Sequence, residues 1–325
     1  MHRLTATTED LRYAYRLFLG REPDPEGFEH NLKHVLAGGL TPGDIARIFA
    51  RSEESRLTQS ENTRFRTVQL HGVKVFPWEG DSLIGDALAK SGKYEPNVLP
   101  RFLERLRPGD VVLDVGANIG TYALTAAAKV GPSGKVIAVE PVARNVRSIC
   151  MGVLSNAFTN VSLLQCAASG SNSVIGVIRG DNSSNGIVDA HVGETAIAEF
   201  VPTLRLDEVL GYLDRLDVLK IDIEGHEPIA WPGLVGLVQR HKPVIFSEFN
   251  PPAILNHSRV APEEYLQQLF AVAAGEVLVI HGDDKPVACT SPAEIMERYR
   301  RANRGIKNLN EGRNHFDLIV HTAKS

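Results

Sequence analysis

From Val111 to Phe246, short aliphatic and β-branched runs alternate with stretches of helical character, and this alternation restricts the chain more than any other feature. The runs are Val111–Val115, Val136–Val139, Val161–Leu164, Val218–Ile223 and Val244–Phe246. Runs this short and this apolar suit strands buried on both faces, and strands separated by helix-length segments pair in parallel through crossovers. The expected fold is α/β, a doubly wound and mostly parallel sheet with helices on both sides. Val277–Ile280 and Phe316–Val320 add two late strands around a helical stretch, Pro292 to Arg304, which makes seven in all.

The first fifty-odd residues have a different pattern, that of three short helices. Leu11, Tyr15 and Phe18 recur at helical spacing, and Asp24-Pro25 is an N-cap followed by proline at the first helical position. Phe28, Leu32, Val35 and Leu36 supply one apolar face before Gly38-Gly39, and Thr41-Pro42 starts a third helix with Ile45, Ile48 and Phe49 inward. The polar stretch from Ser52 to Arg66 is the expected linker. The expected division is a small all-α accessory domain over 1–58 and an α/β domain over 59–325.

The chain has 325 residues, 43% of them hydrophobic, and a formal net charge of -4. That balance offers no clustered positive field for a nucleic acid or an anionic membrane, so neither is expected as a partner. The basic stretch from Arg298 to Arg304 reads as a solvated helix face. Cys150, Cys166 and Cys289 are too few and too scattered for a disulfide framework or a zinc site. With no apolar segment of signal-peptide or membrane-spanning character, the expected location is the cytoplasm.

The strongest chemical signal is Val111-Val112-Leu113-Asp114-Val115-Gly116-Ala117-Asn118-Ile119-Gly120-Thr121. A buried strand runs into a glycine turn and then into a helix of small residues, which brings backbone and a helix N-terminus close to a ligand. About 20 residues on, Glu140 closes the second strand, where an acid can accept hydrogen bonds from the ribose hydroxyls of an adenosine. Nicotinamide enzymes share this pairing, but a dinucleotide turn wants Gly-x-Gly-x-x-Gly, and Asn118 and Thr121 stand where glycines belong. The turn therefore favours S-adenosyl-L-methionine, with a nicotinamide-dependent oxidoreductase as a lesser alternative.

Longer motifs extend this reading. Lys93-Tyr94-Glu95-Pro96, Pro108 through Gly120, Glu140-Pro141, Thr203 through Asp207 and Leu219-Lys220-Ile221-Asp222-Ile223-Glu224-Gly225-His226-Glu227 occur in an order that resembles the FkbM family of methyltransferases. The resemblance implies a Rossmann-like methyltransferase sheet with its last strand inserted antiparallel, S-adenosyl-L-methionine as cofactor, and O-methylation of a sugar or natural-product hydroxyl. It also implies that Glu95 approaches the methionine end of the cofactor, Glu140 its ribose, and Ala167 and Ala168 its adenine. Asp114, Gly116, Asn118, Gly120, Thr121 and Asp222 complete the expected cofactor set. Tyr15 through Gly27, with Arg51-Ser52-Glu53-Glu54, resembles a small helical domain of unassigned function found beside bacterial glycan-processing enzymes and in some surface-layer proteins.

Transfer to an alcohol needs positioning of the hydroxyl and removal of its proton. Three readings of the end of the fourth strand stand side by side. His226 is the base; or Asp222 or Glu224 is the base or binds substrate hydroxyls; or Asp222 merely anchors a loop and His226 faces solvent. Glu224, His226, Glu248 and Asn250 are the expected substrate contacts. Asp222, Glu224, Glu248 and Asn250 are all oxygen donors that magnesium accepts, yet a divalent metal is not the favoured reading. The polar segment Gly180 to Gly186 is read as an ordinary loop. The expected activity is O-methyl transfer to a carbohydrate hydroxyl, with a non-sugar natural product, or a cofactor-binding assembly protein without turnover, as alternatives. The helical domain is the expected place for a protein partner or self-association.

Overall fold

A computed structural model of the chain describes residues 6–15, 23–52, 65–177, 187–188, 199–282, 285–304 and 315–323. The chain divides into two compact units, Met1–Phe65 and Arg66–Ser325.

The first unit contains the helices Thr8–Ala14, Pro25–Gly38 and Pro42–Ala50. Each begins on a side-chain cap: Thr7 and Thr41 form capping boxes with Asp10 and Asp44, and Asp24 accepts from Gly27 N–H at 2.7 Å. Gly39 ends the second helix in the left-handed conformation that glycine adopts without a Cβ penalty. Leu11, Tyr15, Val35, Ile45 and Phe49 form the core of this unit. Ile48, expected inward, is 51% exposed, because the core faces the 45/49 side of its short helix. Phe18 lies outside the described residues.

The second unit is built on an eight-stranded sheet. Its strands are β1 (Val111–Val115), β2 (Lys135–Val139), β3 (Val161–Leu164), β4 (Val218–Ile221), β5 (Val244–Phe249), β6 (Ala273–Ile280), β7 (Val287–Cys289) and β8 (Phe316–Thr322). Their spatial order is β7-β6-β8-β5-β4-β1-β2-β3. The five strands from β3 to β5 are parallel, while β8 lies antiparallel between β5 and β6. This is the doubly wound sheet with an inserted final strand that the motifs implied. The eighth strand is β7, a three-residue edge partner of β6 too short for its alternation to register in the sequence. A separate four-stranded sheet also went unread: Ala167–Ala168, Ser173–Val177, Ile187–Val188 and Glu199–Leu204. The segment 180–186, read as a loop, lies outside the described residues.

Strand alternation divides the core between the two faces of the sheet. Leu113, Val115, Ile137, Val139, Leu219, Ile221 and Ile245 pack on one face, and Val112, Val136, Ala138, Val218, Val244 and Phe246 on the other. The helix Thr121–Val130 packs on the second face, where Ala123, Ala126 and Ala127 are small enough to let it lie close. Among the described residues, no helix is long and apolar enough to cross a membrane.

Candidate active site

The carboxyl ends of β1, β2 and β4 open into a cleft of about 620 Å³. This is where open α/β sheets accept ligands. Its floor is the turn after β1. Gly116 has φ +84°, and a Cβ there would stand 1.9 Å from the carbonyl oxygen of Asp222, so the glycine lets the β1 and β4 turns touch. Gly120, at φ +89°, packs against Leu124 and Ile149 beneath the cleft. Asn118 takes a left-handed φ of +52°, and its side chain accepts from Ile119 N–H at 2.7 Å.

Glu140, 4% exposed, ties the turn to β2. Its Oε2 accepts from Asn118 N–H at 2.8 Å, and its Oε1 accepts from Val142 N–H at 2.9 Å and Asn145 Nδ2 at 3.2 Å. A carboxylate has about four acceptor positions, so one remains on Oε2 for a ligand hydroxyl. Burial raises this carboxyl to about 7, against the pull of its hydrogen bonds. Beside it an apolar slot of about 220 Å³ is formed by Val115, Val139, Cys166, Ala167 and Ala168, and it shares Gly116, Pro141 and Ile223 with the cleft.

The far wall comes from the end of β4. Lys220, Asp222, Ile223 and Glu224 line the cleft, with Tyr94, Tyr122 and Ile84 around them. Asp81 caps the turn before Ile84, accepting from Leu83 and Ile84 N–H. Lys220 Nζ donates to Asp222 Oδ2 at 2.8 Å and lies 4.3 Å from the centre of the Tyr122 ring. Tyr122 donates its hydroxyl to Glu95, a residue held at φ +36°. Asp114 stands beside Lys220 in register and is buried, and burial lifts it to about 6 against the pull of Lys220 and of the Ala123 backbone N–H.

The loop after β4 is clamped from two sides. Glu227 Oε1 accepts from Ile223 N–H at 2.9 Å and Gly225 N–H at 3.3 Å. His257 Nδ1 and Ser258 Oγ hydrogen-bond the carbonyls of Glu224 and Gly225. Glu224 is held at φ +55°, a conformation uncommon outside glycine.

Of the expected cofactor residues, Gly116, Asn118, Thr121, Glu140 and Asp222 line the cleft and Ala167 lines the adjoining slot. Glu95 reaches the cleft through Tyr122, whereas Asp114 and Gly120 lie below its surface. Of the expected substrate contacts, Glu224 lines the cleft. His226 does not: it sits at the N-cap of Glu227–Ala230, and burial, with the neighbouring His257, lowers its imidazole to about 4. Asn250 caps the turn Pro251–Ala253, accepting from Ala253 N–H at 3.3 Å. Glu248 faces Asp317 across the β5–β8 pair, with His315 Nδ1 3.6 Å from its Oε1. Burial raises both carboxyls well above the usual range. No group of three or more His, Cys, Asp or Glu among the described residues could hold a metal ion.

Sequence reasoning missed Lys220, Tyr94, Tyr122 and Asp317. A lysine inside the apolar run Val218–Ile223 was a legible signal, since a charge in a central parallel strand must find partners. Asp317, which stands outside the cleft lining, carried no such signal, because antiparallel insertion of β8 alone brings it beside Glu248.

Residues 114–271 match the family model of the methyltransferase FkbM domain. No curated protein matches the chain. Among solved structures, a methyltransferase FkbM from Methylobacillus flagellatus KT is 15% identical, with 73% of this chain and 48% of that one covered and a TM-score of 0.34. A SAM-dependent O-methyltransferase from Thermotoga maritima is 12% identical, with 87% and 83% covered and a TM-score of 0.37. An rRNA methylase from Streptococcus thermophilus is 8% identical, with 70% and 94% covered and a TM-score of 0.39.

Proposed function

Since the chain carries a methyltransferase FkbM domain, we propose that it transfers a methyl group from S-adenosyl-L-methionine to a hydroxyl of a sugar or glycan. One observation carries the reading: the glycine turn, Glu140 and the carboxylates Asp222 and Glu224 line a single cleft at the carboxyl edge of the sheet.

The residues present fit the cofactor. Glu140 has one acceptor position left for a ribose hydroxyl, and the slot beside it has the apolar lining that a purine ring requires. Asp222 on the wall, and Glu95 behind Tyr122, supply negative charge for the amino-acid end and the cationic sulfur. When bound, S-adenosyl-L-methionine supplies an electrophilic methyl group. The chain's part is then to orient the acceptor and take its proton. Glu224, fixed by the clamp on its carbonyl, is the residue proposed to accept that proton, and Asp222 to hold a neighbouring hydroxyl. His226 can contribute by supporting the loop from behind. The sugar assignment draws on family tendency and on the helical first unit, which resembles domains found beside glycan enzymes, and the proposed role of that unit is as an accessory or partner-binding domain.

The test is release of S-adenosylhomocysteine when the full chain and S-adenosyl-L-methionine are offered neutral glycans, non-sugar alcohols and RNA in parallel. Product with glycans supports the reading. Product only with RNA or only with non-sugar alcohols overturns the acceptor class, and cofactor binding without product on any acceptor favours a binding role.

A further inference from the structure

Lys220 places a buried ammonium on the wall of a cleft read as the site of a positively charged donor. It is 5% exposed, and it is the one cationic side chain lining the cleft among the described residues. Its Nζ is 2.8 Å from Oδ2 of the half-buried Asp222, its register partner Asp114 adds a buried carboxylate, and the half-buried Glu95 behind Tyr122 adds a third negative group. Burial alone would lower the ammonium's pKa, but Asp222, Glu95 and Asp114 outweigh it and hold Lys220 above its ordinary value, so the charge persists. Inside a protein such a charge is felt across several ångströms.

We propose that Lys220 is a positioning residue that holds Asp222 on the cleft wall and sets the electrostatic balance between cationic methyl donor and neutral thioether product. The inference rests on the cofactor reading given above. S-adenosyl-L-methionine and S-adenosylhomocysteine differ by one methyl group and one positive charge at sulfur. A fixed ammonium on the wall disfavours the donor relative to the thioether, and so favours a transition state in which sulfur is losing its charge. Asp222 acts in the opposite sense and keeps the donor bound. The pair thus grips the donor without making its charge too comfortable to lose.

Titration calorimetry of both ligands on the full chain tests this. Lys220→Met should shift the affinity ratio toward S-adenosyl-L-methionine by roughly tenfold, the scale of one unit charge acting through a partly screened interior. Asp222→Asn should shift it the other way, and Lys220→Arg should keep the wild-type ratio. An unchanged ratio in Lys220→Met, or an arginine variant that behaves like the methionine one, overturns the proposal. If Lys220→Met fails to fold by circular dichroism, Asp222→Asn decides: a ratio unmoved, or moved toward the donor, overturns it. A wild-type chain that binds neither ligand removes the cofactor reading itself, a failure distinguishable from the others.

Discussion

Glu140 is a structural hub, and in the proposed function it is also a ligand contact, so its titration would link the two roles. Its folded-state value is raised to about 7 because burial penalises the carboxylate. A ligand hydroxyl donating to Oε2 favours the ionised form, so binding should pull that value down and release a proton between about pH 5 and 7. Affinity for S-adenosylhomocysteine is expected to rise with pH across that window, and calorimetry in buffers of different ionisation heat reads the released proton directly. Glu140→Gln should abolish the proton release and weaken binding by roughly tenfold, the cost of one charge-assisted hydrogen bond. A second prediction separates Glu224 from His226. Glu224→Gln should lower kcat at least about tenfold through loss of a proton acceptor, while His226→Asn should leave it within a few-fold. Single-turnover methyl transfer measures both, and a larger loss in the histidine variant would return the base role to His226. At this scale the sequence was most legible where chemistry and backbone need coincide, as at Gly116 and Glu140. His226 and Asn250 had the right residue types, but the turns after β4 and β5 direct them to capping positions.

At the scale of elements, the site depends on how closely the β1 and β4 turns approach. Gly116 permits that contact, and Glu227, His257 and Ser258 hold the β4 loop in place. Gly116→Ala forces a Cβ into the Asp222 carbonyl at a positive φ, so destabilisation on the order of 3 kcal/mol is expected, together with loss of cofactor binding. Urea denaturation followed by two probes checks the first part, and an alanine variant of wild-type stability would refute it. Strands β1 to β5 were readable because each is an apolar run bounded by turn signals. The three-residue β7 and the small four-stranded sheet were not, because short strands carry too few residues to establish a period. Those strands are defined by their partners.

The two compact units have separate cores, one centred on Leu11, Val35 and Phe49, the other on the two faces of the large sheet. Every residue lining the cleft belongs to the second unit. A chain comprising residues 66–325 alone is therefore expected to fold and to bind S-adenosylhomocysteine with unchanged affinity, as calorimetry and a thermal melt would show. A marked loss of affinity would assign the helical unit a direct part in the site.

Local sequence by itself determined the kind of sheet, the helix starts of the first unit and the turn that lines the cleft. These follow from periodicity, capping and backbone freedom, which act over a few residues. Tertiary structure alone decided which charges meet. Lys220 and Asp114 face each other because β1 and β4 pair in one register, and Glu248 meets Asp317 because β8 enters antiparallel beside β5. Side chains on neighbouring strands are apposed by register, and a shift of one residue would send each to the opposite face of the sheet.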